Sequence, residues 1–143
     1  MPYFKKRLGI ELKRAQRHKE NLSVMIINVD NFIQYREAKG VKQGEDIFVD
    51  IAVAVRNQLR TIDILGRYSL NQIIVSLYNC STRNAQKVAR RILELMENKF
   101  DKEDLDLKLS MGIACYPKVN VKDANELIDY AQEAAFLAYN QGG

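Results

Sequence analysis

Apolar residues at Phe4, Leu8, Leu12 and Ala15 recur at helical spacing, with lysines and arginines between them. The pattern predicts a basic amphipathic helix over about 3–18. As the first element it reads as the continuation of a coiled coil or linker from an upstream domain; a membrane-surface helix is the weaker reading, because the apolar stripe is thin. Leu22–Val29 is a near-continuous apolar run, the pattern of a strand buried on both faces of a helix-covered sheet. A short helix is expected after Phe32, running to Lys39 and stopping at Gly40, with Gly44 as a second break. Ile47, Phe48, Ile51, Ala52, Val55 and Leu59 mark a strong helix over about 43–59. Residues 62–67 and 72–77 read as short strands, and the few residues between them require a hairpin.

Ser81 or Thr82 is placed to cap the next helix, whose apolar face is Ala85, Val88, Ala89, Ile92, Met96 and Phe100. A charged loop over 101–106 leads to a strand over 107–115, which Pro117 ends. Asp123 is placed to cap a last helix with Leu127, Ile128, Ala131, Ala135 and Ala138 on its face. The order helix, strand, two helices, hairpin, helix, strand, helix predicts an α/β sandwich: a ferredoxin-like sheet with helices packed around it.

A chain of 143 residues fits one domain, 1–143, and is long enough to need no disulfide or metal staple. With 47% apolar and 28% charged residues it has globular composition rather than that of a disordered chain. The net charge of +4 suits an anionic partner, but acids and bases are interleaved and no basic stripe carries aromatics, so a nucleic-acid interface is not expected. Cys80 and Cys115 are distant in sequence and read as free thiols in a reducing cytosol; His18 lies in a charged run and reads as a surface residue, and one histidine builds no zinc site. No apolar run approaches transmembrane length, so a cytoplasmic domain is expected, whether alone or within a longer membrane-anchored chain.

Six landmarks in order carry a resemblance: Asn28-Val29-Asp30 with Phe32 after it; Gly40 and Gly44; Arg60-Thr61-Ile62-Asp63; Gly66-Arg67-Tyr68; Leu109-Ser110-Met111-Gly112-Ile113-Ala114; and the Ala-rich last helix. Over essentially its whole length the chain resembles the GGDEF domain of bacterial diguanylate cyclases, which implies a nucleotidyl-cyclase-like sheet. That family condenses two GTP molecules into cyclic di-GMP across a dimer, with two divalent ions bridging carboxylates and phosphates. By the resemblance, the first metal carboxylate falls on Asn28 and the signature hairpin on Ser69-Leu70-Asn71-Gln72-Ile73, so the glycines and both acids are replaced. The guanine-reading positions fall on Arg36 and Glu45, the phosphate lysine on Tyr139, and the histidine after the first loop glycine on Val41. Asp30 remains and reads as a cap for the short helix. The resemblance therefore implies no catalytic residues, no metal and no cofactor.

The same resemblance implies a product-binding site at Arg60, Asp63 and Arg91, with Arg90 as the competing choice for the third position. A guanidinium matches the O6 and N7 acceptors of guanine, a carboxylate matches its N1–H and amino donors, and a second arginine can pair with a phosphodiester or stack on a base. The plain alternative is an exposed Arg–Asp pair worth under ~1 kcal/mol. Two main functions follow as expectations. One is an inactive domain acting as a cyclic di-GMP receptor, as a homodimer or ligand-bridged dimer that signals to neighbouring domains. The other is a pseudoenzyme that binds no nucleotide and serves as a dimerisation or interaction module, with Leu70 and Ile73 as exposed apolar contacts. Residual nucleotide binding or altered cyclase activity using Asp30, Glu45 and a partner's groups is a third, with little support in the sequence.

Overall fold

A computed structural model describes residues 2–141. Its elements are α1 (Pro2–His18), β1 (Leu22–Asp30), α2 (Phe32–Lys39), α3 (Val41–Arg56), β2 (Ile64–Ser69), β3 (Gln72–Tyr78), α4 (Thr82–Lys102), β4 (Lys108–Tyr116) and α5 (Ala124–Asn140). The four strands form one antiparallel sheet in the order β2-β3-β1-β4. This is the ferredoxin-like arrangement expected from the element order. β1 lies inside the sheet, and all nine of its residues are buried. Successive side chains alternate between two cores. Met25, Ile27 and Val29 join Ile73, Val75 and Leu77 against α3 and α4. Val24 and Ile26 join Ile74 and Tyr78 against α1 and α5. Each fully buried aliphatic side chain contributes about 1.5–3 kcal/mol relative to exposure, so this double-sided strand anchors the fold.

The helix ends follow local chemistry. The Ser81 side chain accepts a hydrogen bond from the Asn84 N–H at the start of α4, and Asp123 does the same for Glu126 in α5. Gly40 has φ +96°, a left-handed conformation that glycine adopts without strain, and it separates α2 from α3.

Five local expectations are corrected. Gly44 is not a break; it lies inside α3, where a Cβ would come within 2.8 Å of Arg36 Cγ, so it permits close packing of α2 on α3. α3 ends at Arg56 rather than Leu59, and residues 62 and 63 precede β2 in a tight turn. Asp30 does not cap α2. Asn31 holds the capping position, with φ +67° and no side-chain cap bond, while Asp30 ends β1 and accepts a hydrogen bond from the Ser110 hydroxyl. Ile73 is fully buried rather than an exposed contact, whereas Leu70 is exposed. The cysteines, 35 positions apart, meet at one end of the sheet, where the Cys115 thiol lies 3.7 Å from the Cys80 carbonyl oxygen. Both are free and buried, and burial raises the Cys80 thiol pKa. His18 is exposed, as expected.

Candidate functional site

The chain between α3 and β2 closes into a turn in which the Asp63 N–H donates to the Arg60 carbonyl at 3.0 Å. Asp63 supports this turn with its side chain. One carboxylate oxygen accepts from the Arg60 N–H at 2.8 Å, and the other accepts from Arg60 Nη2 at 2.8 Å and Nε at 3.1 Å. Arg60 Nη2 also donates to the Tyr78 carbonyl at 2.8 Å, which ties the turn to the end of β3. The pairing is asymmetric, because the Arg60 side chain is 48% exposed and that of Asp63 only 2%. The hydrogen bond it donates to the Asp63 carboxylate raises the Arg60 pKa, opposed by partial burial.

Arg56 is a member of this cluster that the sequence reading missed. From the end of α3 it donates to the Asp63 carbonyl at 2.7 Å and the Arg60 carbonyl at 2.6 Å, stitching both ends of the turn together. A cation in the last turn of a helix commonly serves its free carbonyls, and that was the available signal.

Arg91, on α4, donates to the Gln58 side chain at 3.0 Å and the Gln58 carbonyl at 2.8 Å. It is thereby fixed to the segment two residues before Arg60, but it makes no bond to Arg60 or Asp63. Arg90 faces elsewhere, lining a groove between α4, β4 and α5. The structure thus brings Arg60 and Asp63 into contact and sets Arg91, not Arg90, beside the same loop.

The hairpin tip has a different character. Asn28 pairs in register with Gln72, and Gln72 Nε2 donates to Asn28 Oδ1 at 2.7 Å and to Gln132 Oε1 at 2.9 Å. The Ser69 hydroxyl donates to Gln72 Oε1 at 2.8 Å. Neutral amides and a hydroxyl therefore satisfy one another where β1, β3 and α5 meet. Beside the tip, Arg67 stacks over the Phe48 ring at 3.8 Å and pairs with Glu45 at 2.6 Å, while Arg36 Nε lies 4.0 Å from Glu45. The hydrogen bond from Arg67 is the main cause lowering the Glu45 pKa.

The family model for "Diguanylate cyclase, GGDEF domain" matches residues 2–143. The chain belongs to the GGDEF domain family. It is 31% identical to diguanylate cyclase DosC of Escherichia coli over 136 residues, covering 92% of this chain and 29% of that protein. It is 29% identical to diguanylate cyclase TpbB of Pseudomonas aeruginosa over 143 residues, covering 97% of this chain and 33% of TpbB. The crystal structure of the TpbB GGDEF domain superposes with a TM-score of 0.88, at 28% identity, covering 98% of this chain and 89% of that one. The GGDEF domain of DgcB from Caulobacter crescentus, in complex with c-di-GMP, shares the fold at a TM-score of 0.84 and 11% identity, covering 97% of this chain and 81% of that one. The chain spans about a third of the length of the curated relatives it matches.

The GGDEF resemblance directs a divalent cation to the end of β1 and the hairpin tip, and the side chains there do not fit one. A small cavity of about 240 Å³ is lined by residues including Asn28, Asp30, Asn71 and Tyr139. Asp30 is its sole carboxylate, and burial raises its pKa against the lowering effects of Ser110 and Lys108. The amide oxygen of Asn28 already accepts from Gln72. Hard cations require several oxygen donors with anionic charge, and neutral amides do not offset that of a dication. Among the described residues there is no group of three or more His, Cys, Asp or Glu side chains placed to hold a metal ion.

Proposed function

We propose that this GGDEF domain is a catalytically inactive receptor for cyclic di-GMP, which binds at Arg60, Asp63 and Arg91. The observation that carries the reading is the contrast between two faces. The hairpin tip is a closed network of neutral amides, whereas the turn after α3 keeps a half-exposed guanidinium held by a buried carboxylate. Arg60 would read the O6 and N7 edge of a guanine. For Asp63 to meet guanine N1–H and its amino group, the Arg60 side chain must slide off the carboxylate. The Arg60 backbone N–H holds Asp63 in place while it does so. Arg91, fixed by Gln58, would pair with a phosphodiester or stack on the second base.

Isothermal titration of cyclic di-GMP into the wild-type domain and an Arg60→Ala variant tests this. Loss of one bidentate guanine contact is expected to weaken binding by about 1–3 kcal/mol, or roughly 5- to 150-fold. Undetectable binding by the wild type at millimolar ligand, or binding indifferent to the variant, would sink the reading. Incubation with GTP and magnesium or manganese, followed by chromatography, is expected to yield no cyclic di-GMP; appearance of the product refutes inactivity.

A second reading, an interaction module that binds no nucleotide, draws on the outer face of α3. Val49 and Val53 are exposed there, beside a groove of about 420 Å³ shared with Phe48, Ala52 and Leu65. A dimer that persists without ligand and is broken by Val53→Glu would favour this module over the receptor.

A further inference from the structure

The chain's positive charge is concentrated in its first element. Residues 1–20 hold seven of the 22 lysines and arginines and two of the 18 acids, a net of +5 against +4 for the whole chain, so the remainder is net negative. The apolar face of α1 (Phe4, Leu8, Leu12, Ala15) is buried against the sheet and α5, which turns the opposite face outward. Tyr3, Lys6, Ile10, Lys13 and Arg17 follow one another along that face at spacings of three and four residues, all exposed. They form a stripe about 21 Å long at 1.5 Å per residue. Among the described residues, the ion pairs of the helix are Arg7–Glu11 at 3.5 Å and Arg14–Glu11 at 3.9 Å, and neither involves Lys6, Lys13 or Arg17.

We propose that this outward stripe of α1 docks the domain on an anionic lipid surface. Charge complementarity selects the class of partner. Lysines and arginines near an anionic bilayer are each attracted to it, and the attraction is screened by salt. The two apolar members favour lipid over a phosphate backbone. Tyr3 is 68% exposed at the start of the stripe and Ile10 is 54% exposed between Lys6 and Lys13, where an aromatic ring and an aliphatic chain enter the headgroup region. A second copy of the helix is disfavoured, because a self-paired stripe sets Lys6, Lys13 and Arg17 against their own kind. The docking is peripheral. The buried face of α1 belongs to the core, and among the described residues no helix is long and apolar enough to cross a membrane.

The test is co-sedimentation of the 143-residue chain with phosphatidylcholine vesicles, with or without about one-third phosphatidylglycerol, at about 50 and about 300 mM salt. Expected is binding to the anionic vesicles alone, at least tenfold weaker at the higher salt. The triple variant Lys6→Gln/Lys13→Gln/Arg17→Gln is expected to lose at least tenfold in partitioning. The control Lys87→Gln/Lys102→Gln, on the exposed surface of α4, is expected to keep it. Ile10→Ser is expected to weaken binding severalfold without changing its salt dependence. Circular dichroism melts confirm that each variant is folded. No sedimentation with anionic vesicles at the lower salt overturns the proposal, as does binding equal in the triple variant and wild type. Tighter binding to duplex DNA than to vesicles at the same salt overturns it too, by making the stripe a nucleic-acid face. None of these outcomes depends on cyclic di-GMP.

Discussion

Replacing Asp63 by alanine tests the part the buried carboxylate plays in the turn. The side chain accepts from the Arg60 N–H at 2.8 Å and from the Arg60 guanidinium at 2.8–3.2 Å, and is 2% exposed. Removing one member of a fully buried ion pair costs about 3–5 kcal/mol. Here the remaining charge is Arg60, 48% exposed, which can turn to water, so the pair itself is discounted to under ~1 kcal/mol. The larger loss is the partly buried hydrogen bond from the Arg60 N–H to the charged carboxylate, at about 1.5–3 kcal/mol. Together these give about 2–4 kcal/mol for Asp63→Ala. At a few degrees per kcal/mol for a domain of this size, the melting temperature falls by about 6–12 °C. Arg60→Ala, by contrast, keeps that N–H bond and opens the carboxylate to water, for about 1 kcal/mol. Urea unfolding followed by circular dichroism measures both. The argument fails if Asp63→Ala lies within about 0.5 kcal/mol of wild type, or if Arg60→Ala is the more damaging change.

Asp30 has a folded-state pKa above its unfolded one, so its contribution to stability is fully present below the unfolded carboxylate pKa and is lost as pH rises through the folded value. Asp30→Asn keeps an acceptor for the Ser110 hydroxyl and is expected to gain on wild type in melting temperature as pH rises through that window; a pH-independent difference would refute the assignment. At Gly112 an added Cβ would overlap the Ala135 nitrogen and the Ala131 carbonyl oxygen of α5, so Gly112→Ala is expected to cost ~3 kcal/mol or more, or to prevent folding, in thermal melts. An unchanged melt would mean that α5 does not press on β4 as closely as described. Arg91→Ala is expected to weaken cyclic di-GMP binding at least fivefold by titration and Arg90→Ala to leave it unchanged; the reverse ranking would move the third contact to the α4–β4 groove.

The apolar run Leu22–Val29 and the 3.6-residue stripes of α1, α3, α4 and α5 specified the elements from sequence, because a strand buried on both faces and a helix buried on one have distinct periods. The hairpin was legible for the same reason, as was the cap at Asp123; the α4 cap was narrowed to Ser81 or Thr82, and the structure places it at Ser81. Arg60 and Asp63 stood out by spacing and resemblance, and the structure joins them. The sequence left open how they are joined. A helix to about residue 59 and a strand from 62 were expected to bracket them closely, but Arg60 and Asp63 close a turn of their own, because Arg56 and the Asp63 carboxylate satisfy its backbone groups. That arrangement depends on hydrogen-bond directions, which no periodicity encodes.

The choice between Arg90 and Arg91 likewise needed coordinates. Adjacent helical residues differ by about 100° in direction, and only the packing of α4 beside the α3–β2 loop decides which one meets Gln58. Gly44 and Asp30 were misread because a glycine in a close helix contact looks like a break, and an aspartate at a strand end looks like a cap, until their neighbours Arg36 and Ser110 are in place. The sequence by itself therefore determined the elements, their order and the identities of the charged residues. The tertiary structure decided which charges are buried and which stay free, since burial and pairing depend on residues distant in the chain that only the folded sheet brings together.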